Sequence, residues 1–168
     1  MTEEEREAFE TPSLFYFFDR RHDFDRVCAE LAESETLAEN DRVRFTCPCC
    51  GYPTIGERGG YEICGICWWE DDGQDESDPD IIWGGPNHAY SLTQARHNVL
   101  SRLLMYRRND PMFDQLGGSN EKRLSSVAAL IGAFEAMRTA DRRTRAMLWQ
   151  IVDETRSKMR SELELRSQ

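Results

Sequence analysis

Apolar residues recur at helical spacing in several stretches of the chain. Phe24, Val27, Cys28 and Leu31 fall at i, i+3, i+4 and i+7, one face of a helix. That period predicts a helix over residues 13–34, with a break near Arg21-His22, followed by a polar linker over 35–42. Ser91-Leu92-Thr93-Gln94 has the form of a capping box, a hydroxyl at the cap and an amide three residues on. Behind it Leu92, Arg96, Val99, Leu100, Leu103 and Leu104 keep helical spacing, predicting a helix to about Arg108 that Asn109-Asp110-Pro111 ends. Leu124, Val127, Ala128, Ile131 and Phe134 mark another helix after the loop Gly117-Gly118-Ser119-Asn120. Asp141 is placed to cap a last one, with Met147, Leu148, Ile151, Val152 and Met159 inward.

Residues 43–90 break this rhythm. They hold most of the glycines and five of the six cysteines. Tyr52, Thr54 and Ile55 read as one short strand, Gly56 to Gly60 as a turn, and Tyr61, Glu62 and Ile63 as the return. On either side stand Cys47-Pro48-Cys49-Cys50-Gly51 and Cys64-Gly65-Ile66-Cys67. Pairing Cys47 with Cys50 and Cys64 with Cys67 gives C-x2-C-x13-C-x2-C. Two residues between ligands let a tight turn, a knuckle, aim both thiolates at one ion. Two knuckles facing each other complete a tetrahedral set that suits one zinc, with iron a minor competitor. Four protein ligands leave no open position, so the expected metal is structural. It would contribute on the order of 10 kcal/mol to folding a glycine-rich module short of core. The expected fold class is therefore α+β, a small β-hairpin zinc ribbon packed against a mainly helical body. Residues 1–42, 43–90 and 91–168 supply an acidic helical segment, the cysteine module and a helical C-terminal segment of one compact unit. Cys49 is expected as a spare thiol in the first turn and Cys28 as a core residue.

At 168 residues the chain has the length of one domain, and 39% apolar against 31% charged residues excludes wholesale disorder. The formal net charge is −10, but it is spread unevenly. Residues 1–41 hold 13 acids and 4 bases, residues 42–90 hold 9 and 3, and residues 91–168 hold 9 and 14. A chain this acidic is a poor general ligand for nucleic acid, where affinity comes from Lys and Arg displacing counterions. It is better suited to a basic protein partner. The acidic start at Met1 to Glu5 is followed by no apolar run resembling a secretory signal or a membrane span, so a cytoplasmic protein is expected. In that compartment six cysteines point to metal more than to disulfides.

The run Cys47-Pro48-Cys49-Cys50-Gly51-Tyr52 resembles the bacterial cysteine-rich CPCC family of small domains. The resemblance continues through Tyr61-Glu62-Ile63-Cys64-Gly65-Ile66-Cys67 and Trp69 to Asp75, then Asp78-Pro79-Asp80, Gly84-Gly85-Pro86-Asn87, Ser91-Leu92, Ala95-Arg96 and Asn98. It covers roughly residues 44–100 and implies a zinc-ribbon-like module without an enzyme class. The flanking helices lie outside it.

Behind the second cysteine pair, Trp68, Trp69, Glu70, Asp71, Asp72, Asp75, Asp78 and Asp80 combine aromatic rings with carboxylates. Three functional readings compete with that of a solvated loop. The EF-hand spacing of calcium loops is absent. A metal-dependent hydrolase would recruit His88 and His97, but no paired-histidine motif is present. An acidic partner-binding surface anchored by Trp68 or Trp69 is the sharpest reading, with one indole of the pair packed inward, and Trp83 and Trp149 in the core. Arg138, Arg142, Arg143, Arg145, Arg156, Lys158 and Arg160 could form a nucleic-acid stripe, but acids are interleaved with them. No nucleophile elbow, phosphate loop or dinucleotide pattern occurs. The expected function is thus non-enzymatic protein binding, most sharply an immunity or antitoxin-type inhibitor of a basic toxin. A nucleic-acid-associated zinc protein is the first alternative, and a hydrolase using the Asp cluster the second.

Overall fold

A computed structural model of the chain describes residues 12–33 and 44–166. The expected linker and the acidic start lie outside these residues. The chain divides into two compact units, the first ending at Tyr106 and the second beginning at Arg107.

The first unit opens with α1, Pro12–Ala32, which runs without a break at Arg21-His22. Its inward face is the one the period indicates: Phe24, Val27, Cys28 and Leu31 are all buried, joined by Phe17. A single-turn 3-10 helix covers Gly85–Asn87, and α2 covers Leu92–Arg102. Ser91 and Gln94 form the capping box in both directions. α2 stops well short of Arg108. Leu103 takes a left-handed backbone with φ 53° while its N–H donates to the Val99 carbonyl. Asn98 Nδ2 then donates to the Met105 carbonyl at 2.8 Å, and the Met105 N–H donates to the Cys67 carbonyl at 2.9 Å. Leu104, Met105 and Tyr106 are buried as a result. Core packing and bonds to the second cysteine turn override the helical period here.

The expected β-hairpin ribbon does not form. The described residues contain no strand and no sheet, only two isolated bridges, Phe45 with Ile55 and Ile63 with Glu70, so the fold is mainly helical. Residues 52–55 do not pair with 61–63. The first group returns upon residues 45–47, and the second pairs with 69–71. Each cysteine turn is closed by its own flanks in place of a shared hairpin.

The second unit comprises α3, Pro111–Gln115, α4, Glu121–Met137, and α5, Arg142–Arg166. Asp110, Asn120 and Asp141 each accept a backbone N–H two or three residues on, which satisfies donors at the three helix starts. Phe113, Val127, Leu130, Phe134, Met137, Trp149 and Val152 are buried, with Trp149 edge-on to Phe134 at 6.2 Å. Met147 and Ile151, expected inward, are exposed: the buried stripe of α5 runs through Trp149 and Val152.

Candidate metal centre

The two cysteine turns are built alike. In the first, the Cys47 N–H donates to the Tyr52 carbonyl at 2.8 Å and the Gly51 N–H to the Cys47 carbonyl at 2.8 Å. In the second, the Cys64 N–H donates to the Trp69 carbonyl at 2.9 Å and the Trp68 N–H to the Cys64 carbonyl at 3.0 Å. The residue after the last cysteine takes a left-handed backbone in both, Gly51 at φ 78° and Trp68 at φ 67°. At Gly51 a side chain would also meet the Phe17 ring, 3.2 Å from the place a Cβ would occupy.

These turns bring Cys47, Cys50, Cys64 and Cys67 together, all buried, with the four sulfurs within 4.8 Å of one another. The group could hold a metal ion. The Sγ–Sγ distance is 3.7 Å between Cys47 and Cys67 and 3.6 Å between Cys50 and Cys64. A tetrahedral ion with bonds of about 2.3 Å to sulfur has edges of about 3.8 Å. These two separations are close to that edge, and all six cysteines of the chain are free thiols. Soft thiolate donors in this geometry select soft or borderline ions.

The surroundings favour the thiolate form at one point. Burial pushes the Cys47, Cys50 and Cys67 thiols up, Cys47 and Cys67 well above the usual thiol range. Burial acts on Cys64 in the same sense. Hydrogen bonds from Cys47, Cys50, Cys67 and Thr54 nevertheless hold it well below that range. The Thr54 hydroxyl donates to Cys64 Sγ at 3.0 Å, and the Cys49 N–H donates to Cys47 Sγ at 3.4 Å. Such donors orient the ligands and offset the negative charge that four thiolates would bring. Cys49 is buried but stands outside the group of four. Cys28 is buried on α1, where burial and then the Asp25 carboxylate push its thiol up to about 12.

α1 fastens over the first turn. Arg20 Nη2 donates to the Cys50 carbonyl at 2.8 Å, and its guanidinium lies 4.6 Å from the centre of the Tyr52 ring. The Arg96 guanidinium sits 4.5 Å from the centre of the Phe17 ring, while its Nε donates to the Pro48 carbonyl at 2.9 Å. Cation–π contacts of this kind strengthen when desolvated.

The carboxylates behind the second turn divide into two sets. Asp71 is fully buried; it accepts from Arg58 at 3.0 Å and from the Gly59 N–H at 2.9 Å. Asp75 accepts from Arg58 at 2.6 Å and, with both oxygens, from Arg21 at 2.5 and 2.8 Å. Burial opposes the ionised form of Asp75, but the Arg21 bonds, the charges of Arg21 and Arg58 and the Glu76 N–H hold its carboxyl below the usual range. Glu76, which no motif marks, binds Arg21 and Arg96. Asp71, Asp75 and Glu76 are thus neutralised by arginines from α1, the 56–60 turn and α2. Among the described residues the second set meets neutral donors only. Asp72 accepts from the Gln74 N–H and Asn87, Asp78 from Trp83 and Ser77, and Asp80 from Thr93. Glu70 is half-buried, and its backbone is held at both ends by Asn87.

Among the tryptophans, Trp69 is the packed member of the pair and Trp68 is half-buried. Trp149 is in the core as expected. Trp83 is not: it is 49% exposed beside Ile81 and Ile82. His88 is exposed as well. Among the described residues no other set of three or more His, Cys, Asp or Glu side chains gathers as the four cysteines do, so the carboxylates and His88 make no second metal group. Of the C-terminal bases expected to form a stripe, Arg138, just past α4, is tied to Glu135, and Arg145 on α5 to the Met137 carbonyl. No described helix is long and apolar enough to cross a membrane.

The family model of the cysteine-rich CPCC domain matches residues 45–103, and this segment of the chain is such a domain. The match spans both cysteine turns, the carboxylate loop and α2. It leaves out α1, which the structure nonetheless binds to the first turn through Phe17 and Arg20 and to the carboxylate loop through Arg21. No curated protein and no solved structure matched the chain.

Proposed function

We propose that the chain is a non-enzymatic protein-binding protein whose cysteine-rich domain is held in shape by one structural zinc ion. In its sharpest form it is an immunity or antitoxin-type inhibitor, acting in the cytoplasm on a basic bacterial toxin. The observation that carries the first part is the closed site. Four buried sulfurs supply every position of a tetrahedral ion, and none is left for a substrate or a reacting water. Cys47, Cys50, Cys64 and Cys67 would hold the ion. It would supply cross-linking of two turns rather than bond-making chemistry. The thiols must lose their protons to bind it, so assembly of the domain is coupled to metal and to pH.

The net charge of −10 supports a cationic partner, because complementary charge accelerates encounter and disfavours wrong partners. The charge does not come from every carboxylate the sequence offers. Asp71 and Asp75 are internally paired, so Asp72, Asp78 and Asp80 carry the outward field of the loop. The experiment is a tagged pull-down from the native cell, washed at low and at high salt and read by mass spectrometry. A stoichiometric basic protein released by salt is the expected result. Recovery of nucleic acid, ribosomal or polymerase components in its place would overturn the reading, and so would recovery of nothing.

A further inference from the structure

Ile81, Ile82 and Trp83 form the one run of three consecutive large apolar residues that is open to solvent among the described residues, at 57, 51 and 49% exposure. Scattered exposed apolar side chains are ordinary; three in succession on a fixed loop are not. The loop is fixed from beneath. Gln74, itself buried, donates from Nε2 to the Asp78 carbonyl at 2.9 Å and to the Ile81 carbonyl at 2.7 Å. The Ile81 N–H donates to the Asp78 carbonyl at 3.1 Å. The Trp83 indole N–H donates to Asp78 Oδ2 at 2.7 Å, which sets the ring while about half of the side chain stays exposed. A loop already rigid loses little freedom when a partner covers it.

The rim decides the partner. Asp78 and Asp80 stand immediately before the apolar run in sequence, and among the described residues they and Asp72 accept only from neutral donors. This contrasts with Asp71, Asp75 and Glu76, whose charge is met by Arg21, Arg58 and Arg96. We propose that the Ile81–Trp83 loop is the contact surface of this domain and that it takes a cationic protein surface, Lys or Arg side chains closing on Asp78 and Asp80 around an apolar recess that receives Ile82 and Trp83. An aromatic anchor in an apolar centre with a charged rim is the composition of an energetic hot spot. The proposal rests on the protein-binding reading above and places that binding on particular residues.

The test uses the full chain in its metal-loaded form. The probe is a peptide of about fifteen residues alternating Lys and Leu, with the matching Glu and Leu peptide as control, sized for an interface core. Binding is followed by the indole and backbone N–H signals in NMR. The Trp83 indole and the amides of 78–84 are expected to move with the cationic peptide while the Trp149 indole stays. Affinity is expected to fall roughly tenfold in I82S and in W83F, and further in D78N/D80N. I82S leaves the Trp83–Asp78 bond in place, so its folded spectrum separates lost contact from lost structure. Signals that move chiefly elsewhere, equal binding of the anionic peptide, or unchanged affinity in I82S and W83F would each overturn this surface. Those results leave the protein-binding reading standing, because that reading is decided by the salt-washed pull-down.

Discussion

Gly51 and Trp68 occupy the same place in two turns of like build, one residue past the last cysteine, with φ 78° and 67°. A glycine meets that demand at no steric cost, whereas a tryptophan there carries strain of about 1–2 kcal/mol. The two positions therefore respond oppositely to substitution. G51A is expected to destabilise the metal-loaded protein by upwards of about 1 kcal/mol, since the new Cβ meets both the wrong φ and the Phe17 ring. W68G exchanges strain for chain entropy and some half-buried packing, and is expected to stay within about 1 kcal/mol of wild type. Thermal and denaturant melts with metal present measure both, and a larger loss in W68G than in G51A would contradict the equivalence of the turns.

The cysteines are expected to sort into two groups by the effect of substitution. C47S, C50S, C64S and C67S each lose the metal and the fold of the domain around it, whereas C49S and C28S retain both. In the metal-loaded protein Cys28, pushed up to about 12, resists alkylation near neutral pH. Mass spectrometry after alkylation, with and without a chelator, reads this directly; retained metal in C64S would break the four-sulfur assignment.

The Arg21–Asp75 pair links α1 to the carboxylate loop across 54 positions of sequence. R21A is expected to cost about 1–2 kcal/mol, discounted because Asp75 is 30% open to water. The sign of its pH dependence follows from the lowered carboxyl of Asp75. A depressed folded value means the unfolded chain binds the proton more readily, so the stabilisation is present above the ordinary carboxylate value of about 3.9 and is lost as pH falls below it. The gap between wild type and R21A is thus expected to hold steady from about pH 8 to 5 and to narrow only below about pH 4. Paired melts across that range test it, and a gap that widens in acid would refute it.

Asn98 joins the end of α2 to the Met105 carbonyl, next to the bond from Met105 to Cys67. N98A leaves a buried acceptor without its donor, at a cost of about 1–3 kcal/mol. Amide exchange is expected to quicken at Met105 and to stay slow in the first turn of α2, where the capping box is untouched. Uniform acceleration along α2 would show that the box, not Asn98, holds the helix.

What could be read from the sequence was local in origin. The cysteine spacing, the capping box at Ser91 and Gln94, the Asp141 cap and the buried face Phe24, Val27, Cys28 and Leu31 each depend on residues a few positions apart. The hairpin expectation rests on two short stretches either side of the Gly56 to Gly60 turn, and such a pattern says nothing about which segment a short stretch pairs with; Tyr61 to Ile63 close their own cysteine turn. The early end of α2 depends on Cys67, more than thirty positions away, and Trp83 is exposed because Asp78 and Gln74 hold its loop outward. The division of the carboxylates could not be read either. It is made by Arg21, Arg58 and Arg96, which come from three separate elements and carry no motif.

The central claim is a single closed metal centre in a protein with no catalytic metal, and native mass spectrometry of the full chain purified without added metal tests it most directly. The account predicts one zinc per chain, retained in C49S and absent in C64S. A second equivalent of metal bound to the wild type, or a metal-free chain that is fully folded, would contradict it.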